Sequence, residues 1–316
     1  MTKFLLASLL AVPAIAVPVY AQGTNPVEFH VLPAQGNIYM LTTGGAGANT
    51  TLQVGPQGIL IVDTQTAQLS DKMLAAIHKL SDKPIRYIVN TNSLPDHTGG
   101  NEAMHKAGIT ITGANVTNDI GDAREGAPIL AHENVLNRMS APTGTKAPTE
   151  SAAWPTDSFI GDEKDLYFNG ESIEILHQPN ANTDGDSIVY FRRSDVVSTG
   201  DLFSTDRYPF IDLEKGGTIQ GVVNGLTHVM GLTIVAHEEE GGTLVIPGHG
   251  RLCDQADLVE YRDMVVIVRD RIRDMIKKSM TLEQVKAARP SQEYDRLYGN
   301  PDLFVTAGYQ SLSAKH

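Results

Sequence analysis

Cysteine is almost missing from this chain: Cys253 is the single one among 316 residues. With no partner in the same chain it forms no intramolecular disulfide, so a hydrophobic core must supply the stability, and a chain this long can build one. The thiol itself reads as a small buried apolar residue rather than a nucleophile or ligand. Positive charge is also scarce, with 25 Lys and Arg against 37 Asp and Glu and a formal net charge of −12. That balance argues against nucleic acid or an anionic lipid surface as partner and leaves a small-molecule substrate as the expected ligand. Repeats of solenoid length and low-complexity tracts are lacking, and so is a long hydrophobic run anywhere past the first two dozen residues.

The one greasy run opens the chain. Lys3 is followed by "FLLASLLAVPAIAVPV", with Pro13 and Pro18 inside it and small residues at Val19 and Ala21 before Gln22. A basic start, a short apolar core and small residues at its end describe a secretory signal cleaved after Ala21. The run falls short of the ~20 residues that a membrane-spanning helix needs. Residues 1–21 are therefore expected to be removed, giving a periplasmic or secreted protein of 295 residues with no membrane anchor. Without Lys3 its net charge is −13. The remainder reads as one large α/β domain over 22–270 and a helical C-terminal extension over 271–316.

Asn37–Thr43, "TTLQVG" and Gly58–Thr64 alternate apolar and polar residues and read as strands, with "VGPQG" as a turn. The period then changes. Leu69, Met73, Leu74, Ile77 and Leu80 recur at three and four residues, one face of a helix with Ser70 as its N-cap. "IRYIVN" (Ile85–Asn90) returns to strand. Gly58–Asn90 is then a β-α-β crossover, and the next loop leaves the carboxyl end of its second strand, the edge where α/β sheets collect ligands. Further on, Glu102–Ala107 reads as a short helix leading to "ITITG", Ile129–Ser140 as a helix and Gly144–Ser158 as a surface loop. "IEILHQ", "SIVYFRR" and "VVSTGD" read as strands, and Gly221–Glu239 contains another helix. "TLVIPGHG" is a buried strand running into a glycine-flanked loop. From Asp254 the chain is helical, its "RDRIRDMIKK" segment a solvated face.

Ligand-type side chains gather at these strand ends. Asp96 and His97 lie in "NSLPDHTGGN", Asp201 in "STGDLF" and His249 in "PGHG", while the "NANTDGDS" loop at Asn180–Ser187 follows another strand. An adjacent Asp–His pair alone says little. Two acids and two imidazoles, each on a glycine-punctuated loop past a strand, supply the donors that zinc and similar ions take. His30, His78, His105, His132, His228, His237 and His316 have no ligand-spaced partner and read as structural or solvated, as does the strand-end His177. Asp63 is expected to position loops by hydrogen bonds, and Thr183, Asp184 and Asp186 to cap a turn.

In order and content these motifs resemble the metallo-β-lactamase superfamily. "VDT" at Val62–Thr64 is similar to its first motif and "NSLPDHTGGN" to its "HxHxDH" loop. "NTDGDS" is similar to the loop of the third histidine, "GDLF" to the strand of the bridging aspartate and "PGHG" to the last histidine. The tail is similar to that of a secreted bacterial branch. The resemblance implies an αββα metallo-β-lactamase-like sandwich with the site along one edge, and it implies two metal positions. One would be held by three histidines, whose places are taken here by Asn92, Leu94 and Asn182. The other would take Asp96, His97 and His249, with Asp201 as the carboxylate shared by both. All three departures fall in one set, so the first site is degenerate as a unit while the second is complete. What is expected is half of a binuclear centre holding one ion, zinc by preference, with iron or another divalent ion as alternatives.

The expected function is that of an exported hydrolase with a single metal. The resemblance implies a metal-activated water attacking an ester, thioester, lactone or amide, because an open position on zinc brings water towards a pKa of about 7. Asp96 is the candidate general base. Two features oppose activity: four protein ligands would close the tetrahedron, and two carboxylates neutralise the ion and leave its water less acidic. Leu94, which neither binds metal nor moves protons, favours the alternative of a non-catalytic small-molecule binding or scaffold protein with a structural ion or none. A redox role for iron is a third reading. Pocket walls are expected from Gly44–Asn49 and Gly113–Thr149.

Overall fold

A computed structural model describes residues 27–110, 126–140, 144–235 and 241–314. The expected signal at 1–21, residues 111–113 of "ITITG", His237 and His316 lie outside the described residues. Seven strands form a first sheet in chain order: β1 (His30–Pro33), β2 (Ile38–Thr42), β3 (Thr50–Gly55), β4 (Gly58–Val62), β5 (Ile85–Val89), β6 (Ile129–His132) and β7 (Asp157–Phe159). β1 to β4 pair antiparallel and β4 to β7 parallel. Parallel neighbours need crossovers. Here α1 (Ser70–Leu80) leads from β4 to β5, α2 (Pro95–Thr98) and α3 (Asn101–Ala107) follow β5, and α4 (Glu133–Met139) follows β6.

The second sheet holds β8 (Glu163–Phe168), β9 (Glu171–His177), β10 (Ser187–Phe191), β11 (Val196–Ser198) and β12 (Leu244–Ile246), in the order β12-β11-β10-β9-β8. Only β11 and β12 run parallel in it, and α5 (Ile219–Leu232) lies in the connection between them. After β12 come α6 (Gln255–Lys277), α7 (Leu282–Ala287), α8 (Asp295–Tyr298) and α9 (Asp302–Ser313).

Side chains alternate across a strand, so each sheet has two faces to bury. Ile38, Met40, Leu60 and Val62 meet Ile173, Ile175, Val189 and Phe191 between the sheets. On the other face of the first sheet, Ile59 and Ile61 pack on Met73 and Ile77 of α1 and Met104 of α3. On the other face of the second, Ile188, Val197 and Val245 pack on Val222 and Leu226 of α5 and Tyr261 and Val265 of α6. Three apolar layers between four structural ones make the expected αββα sandwich.

Several local expectations are corrected. Ile129–Ser140 is strand before it is helix, because the buried "ILAH" pairs with β5 and β7; a four-residue apolar run has no period to distinguish the two. His132 then ends the strand and caps α4, its Nδ1 accepting from Asn134 N at 3.3 Å. The expected loop at Gly144–Ser158 contains a 3₁₀ turn at Ser151–Ala153 and the start of β7. Ser70 is not the N-cap of α1: a 3₁₀ turn at Ala67–Leu69 precedes it, so Ser70 is already helical and Leu69 stands at the cap. The boundary expected at 270/271 falls inside α6, which is capped by Asp254 and runs unbroken to Lys277. Phe304 and Val305 of α9 share the apolar layer of α5 and α6.

Candidate metal centre

The strands place their loops first. Asp63 follows β4, Asp96 and His97 follow β5, Asp201 follows β11 and His249 follows β12, all at carboxyl ends. Asp63 adopts φ +63, a left-handed conformation that aspartate tolerates better than most residues. Its carboxylate accepts from Thr91 N at 2.8 Å and Thr91 Oγ1 at 2.7 Å, and it lies 2.7 Å from His97 Nδ1. Beyond bracing the loop, Asp63 thus fixes the imidazole: Nδ1 donates to the carboxylate and Nε2 is turned the other way.

Nε2 of His97 faces Asp201, whose Oδ1 lies 3.0 Å away and 3.1 Å from Nε2 of His249. Gly200 makes this approach possible. Its φ is +52, and a Cβ there would run into the Thr91 side chain. His249 is braced from behind, Nδ1 donating to Gly47 O at 3.1 Å, and its Nε2 is 3.5 Å from Asp96 Oδ2. The donor atoms of Asp96, His97 and His249 all lie within 4.8 Å of one another. Three of the four candidate ligands, scattered over more than 150 positions of sequence, therefore meet at one point, and Asp201 adjoins both imidazoles.

The residues fit a metal on a specific observation. His97 is fully buried, and its Nε2 makes no hydrogen bond, with Asp201 Oδ1 3.0 Å away. A buried nitrogen left so is uncommon. One whose opposite nitrogen is held by a carboxylate has the setting of a metal ligand, and two imidazoles with two carboxylates suit zinc or iron. The charges agree. Burial opposes ionisation of His97, yet Asp201 and Asp63 on its two sides raise its pKa well above the ordinary imidazole value. Burial likewise opposes charge on Asp201, and His97 with His249 hold it far below the usual carboxylate range.

The three degenerate positions lie here too. Asn92 Nδ2 donates to Asp201 Oδ2 at 3.3 Å, and Asn182 Nδ2 donates to Asp201 O at 3.1 Å and Phe210 O at 2.6 Å. Leu94 lines a cleft of about 230 Å³ that opens on Asp96, Asp201 and His249. The rest of its wall is Ser204, Arg207, Tyr208 and Phe210. This corrects the expected walls: neither Gly44–Asn49 nor any described residue of 113–149 lines the cleft. Gly44–Asn49 supports the last histidine instead, Asn49 Nδ2 donating to Pro247 O and Gly250 O at 2.9 and 3.1 Å. Sequence reasoning passed over Ser204–Phe210, although the segment leaves directly from Asp201 and pairs an arginine with two aromatics.

The remaining candidates are structural. Asp186 caps its turn by accepting from Thr183 N and Oγ1, and burial pushes its carboxyl up to about 7. His177 donates to Asp184 O at 2.8 Å and stacks on His132 with 3.7 Å between ring centroids. Cys253 is buried, and burial pushes its thiol up to about 12, far from a nucleophile's range.

Two sheets face to face, helices on both outsides and a carboxylate–imidazole cluster at the carboxyl edge define the αββα class of metal-dependent hydrolase folds. The chain belongs to the metallo-beta-lactamase superfamily, whose family model matches residues 43–249. Among curated proteins it is similar to a linear primary-alkylsulfatase of Pseudomonas sp. (strain ATCC 19151), 24% identical over 257 residues, which cover 73% of this chain and 47% of the relative. Among solved structures it is similar to the stereoselective inverting sec-alkylsulfatase Pisa1 from Pseudomonas sp., with a TM-score of 0.65 and 18% identity over 91% of this chain and 51% of that one. The DIM-1 metallo-beta-lactamase matches with a TM-score of 0.54 and 18% identity over 76% of this chain and 97% of its own. The chain spans about half the length of the alkylsulfatases it matches.

Proposed function

We propose that this protein is a hydrolase working with one divalent ion, zinc by preference, held by Asp96, His97, Asp201 and His249. The observation that supports it is the meeting of Asp96, His97 and His249, with Asp201 against both imidazoles, around a buried His97 Nε2 that makes no hydrogen bond. When bound, the ion supplies a Lewis acid and lowers the pKa of water. The chain does the rest. Asp63 holds the His97 ring and the Gly47 carbonyl holds that of His249. Asp96, with its side chain 30% exposed against 8% for Asp201, is the more accessible of the two acids on the cleft, so it can take a proton from the attacking water and return it to the leaving group. Arg207 brings positive charge into an otherwise acidic cleft, which suits a substrate's anionic group, while Leu94, Tyr208 and Phe210 offer an apolar wall. An alkyl sulfate, the substrate class named in its alkylsulfatase relatives, therefore joins esters, thioesters, lactones and amides as a candidate.

The test is metal analysis of the purified chain together with a hydrolysis panel of an ester, a thioester, a lactone, a β-lactam and an alkyl sulfate. One ion per chain and turnover of at least one substrate are expected, with turnover lost in Asp96→Ala. No stoichiometric metal, or a panel unaffected by Asp96→Ala, rules the reading out. One observation favours a second reading, a binding or scaffold protein without catalysis: Leu94, at a position where the family places a ligand, faces the cleft. Metal retained without turnover would support it.

A further inference from the structure

The degenerate half of the centre is filled by its own hydrogen bonds, and they run to the one acid that both halves share. Resting on the single-ion reading above, we propose that Asn92 and Asn182 are positioning residues that do the work of a first ion, holding Asp201 so that only one of its oxygens serves a metal.

The amide orientations are set by their partners. Leu94 N can only donate, so the Asn92 atom 2.8 Å from it is Oδ1. Nδ2 then faces Asp201 Oδ2 at 3.3 Å. Asn182 sits against two carbonyl oxygens, those of Asp201 and Phe210, which only accept, so its nitrogen is fixed too. Its Oδ1 is left buried without a partner, as befits a side chain held for its donor. Both asparagines are fully buried. Asp201 is thereby gripped at its backbone carbonyl and its outer oxygen, while Oδ1 faces the Nε2 atoms of His97 and His249.

A carboxylate between two ions presents one oxygen to each. Here an amide N–H, 3.3 Å from Oδ2, supplies the positive end that a cation would otherwise supply. Leu94 is compatible with this arrangement because its backbone N–H, not its side chain, belongs to the lock. The centre is thus built for one ion rather than damaged for two.

Metal titration of the full chain, stripped with chelator and reloaded with Zn²⁺ or Co²⁺, tests this without any substrate. The wild type is expected to bind one ion. Asn92→Ala is expected to weaken it about 10–100-fold, the range for losing a hydrogen bond behind a metal ligand, and to shift the visible Co²⁺ spectrum as Asp201 rotates. A merely structural asparagine would lower the stability of the metal-free protein but leave the affinity and spectrum of the folded fraction alone. Asn92→Asp keeps the side chain's shape and the acceptor for Leu94 N–H, and so guards against a loop that cannot fold. It sets two like charges against each other, and a second equivalent of ion or an altered Co²⁺ spectrum is expected. Wild-type affinity, stoichiometry and spectrum in both variants overturn the proposal, as does a wild-type chain that takes two ions. A wild-type chain that binds no ion overturns the single-ion reading and this inference with it; unchanged variants alone leave that reading standing.

Discussion

Asp63 stands one bond behind the candidate ligands, and its charge can be removed with little else. Asparagine matches its shape and also tolerates φ +63, so Asp63→Asn keeps the turn while weakening the grip on His97 Nδ1. Zinc affinity should fall about 10–100-fold, measured by competition with a chromophoric chelator; unchanged affinity would leave Asp63 a loop brace alone. Asp186 offers the matching test of stability. Burial pushes its carboxyl up to about 7 despite the hydrogen bonds from Thr183. With its folded pKa above the unfolded one of about 3.9, the folded state keeps the proton longer. The resulting advantage is full below the unfolded pKa and lost as pH rises through 7. Urea unfolding of metal-free protein should show this loss, at most ~4 kcal/mol between those limits, and Asp186→Asn should flatten that part of the profile. Parallel profiles in the two proteins would assign the pH dependence elsewhere.

Among the elements, the terminal helices do more than extend the chain. Tyr208 of the cleft wall stacks on Phe304 of α9, 5.2 Å between centroids, and donates to Asp295 Oδ1 of α8 at 2.9 Å. Phe304→Ala should cost roughly 3–5 kcal/mol by denaturant unfolding, as for other buried phenylalanines. It should also raise KM more than it lowers kcat, because it frees a wall residue and not a ligand; a change in kcat alone would separate α9 from the cleft. This link was invisible in the sequence, where residue 208 and residue 304 share no period and no motif. What could be read were elements with a period of their own: α1 from Met73 and Ile77, the β4–α1–β5 crossover, and the strand-end loops with their acids and histidines. What could not were pieces defined by neighbours. "ILAH" becomes a strand only because β5 and β7 flank it, Ser70 loses its cap to a preceding 3₁₀ turn, and Ser204–Phe210 becomes a wall only once Asp201 is anchored.

For the whole molecule, two features of the sequence set expectations that act at a distance from the centre. We propose export with cleavage after Ala21, so protein recovered from the periplasm or medium should begin at Gln22; a mature chain still carrying Lys3 would refute it. None of the described helices is long and apolar enough to cross a membrane. The second feature is the lone buried Cys253, which leaves the fold without an internal cross-link. The two sheets are instead joined by apolar packing and, at one edge, by side chains brought together from β4, β5, β11 and β12. An ion gripped there would tie the first sheet, through Asp96 and His97, to the second, through Asp201 and His249. Ligand that binds only the folded state adds stability by mass action, about 4 kcal/mol at a free concentration a thousandfold above Kd. Excess Zn²⁺ should therefore raise the thermal midpoint by several degrees and EDTA should return it, with the shift absent in His249→Ala. The loss of the shift in His249→Ala is what assigns it to this centre, because the carboxylates of Glu163, Asp165 and Glu174 also lie close enough together to hold an ion. A midpoint indifferent to both zinc and chelator would mean that the cluster holds the sheets by charge attraction of His97 and His249 to Asp201, with no ion between them.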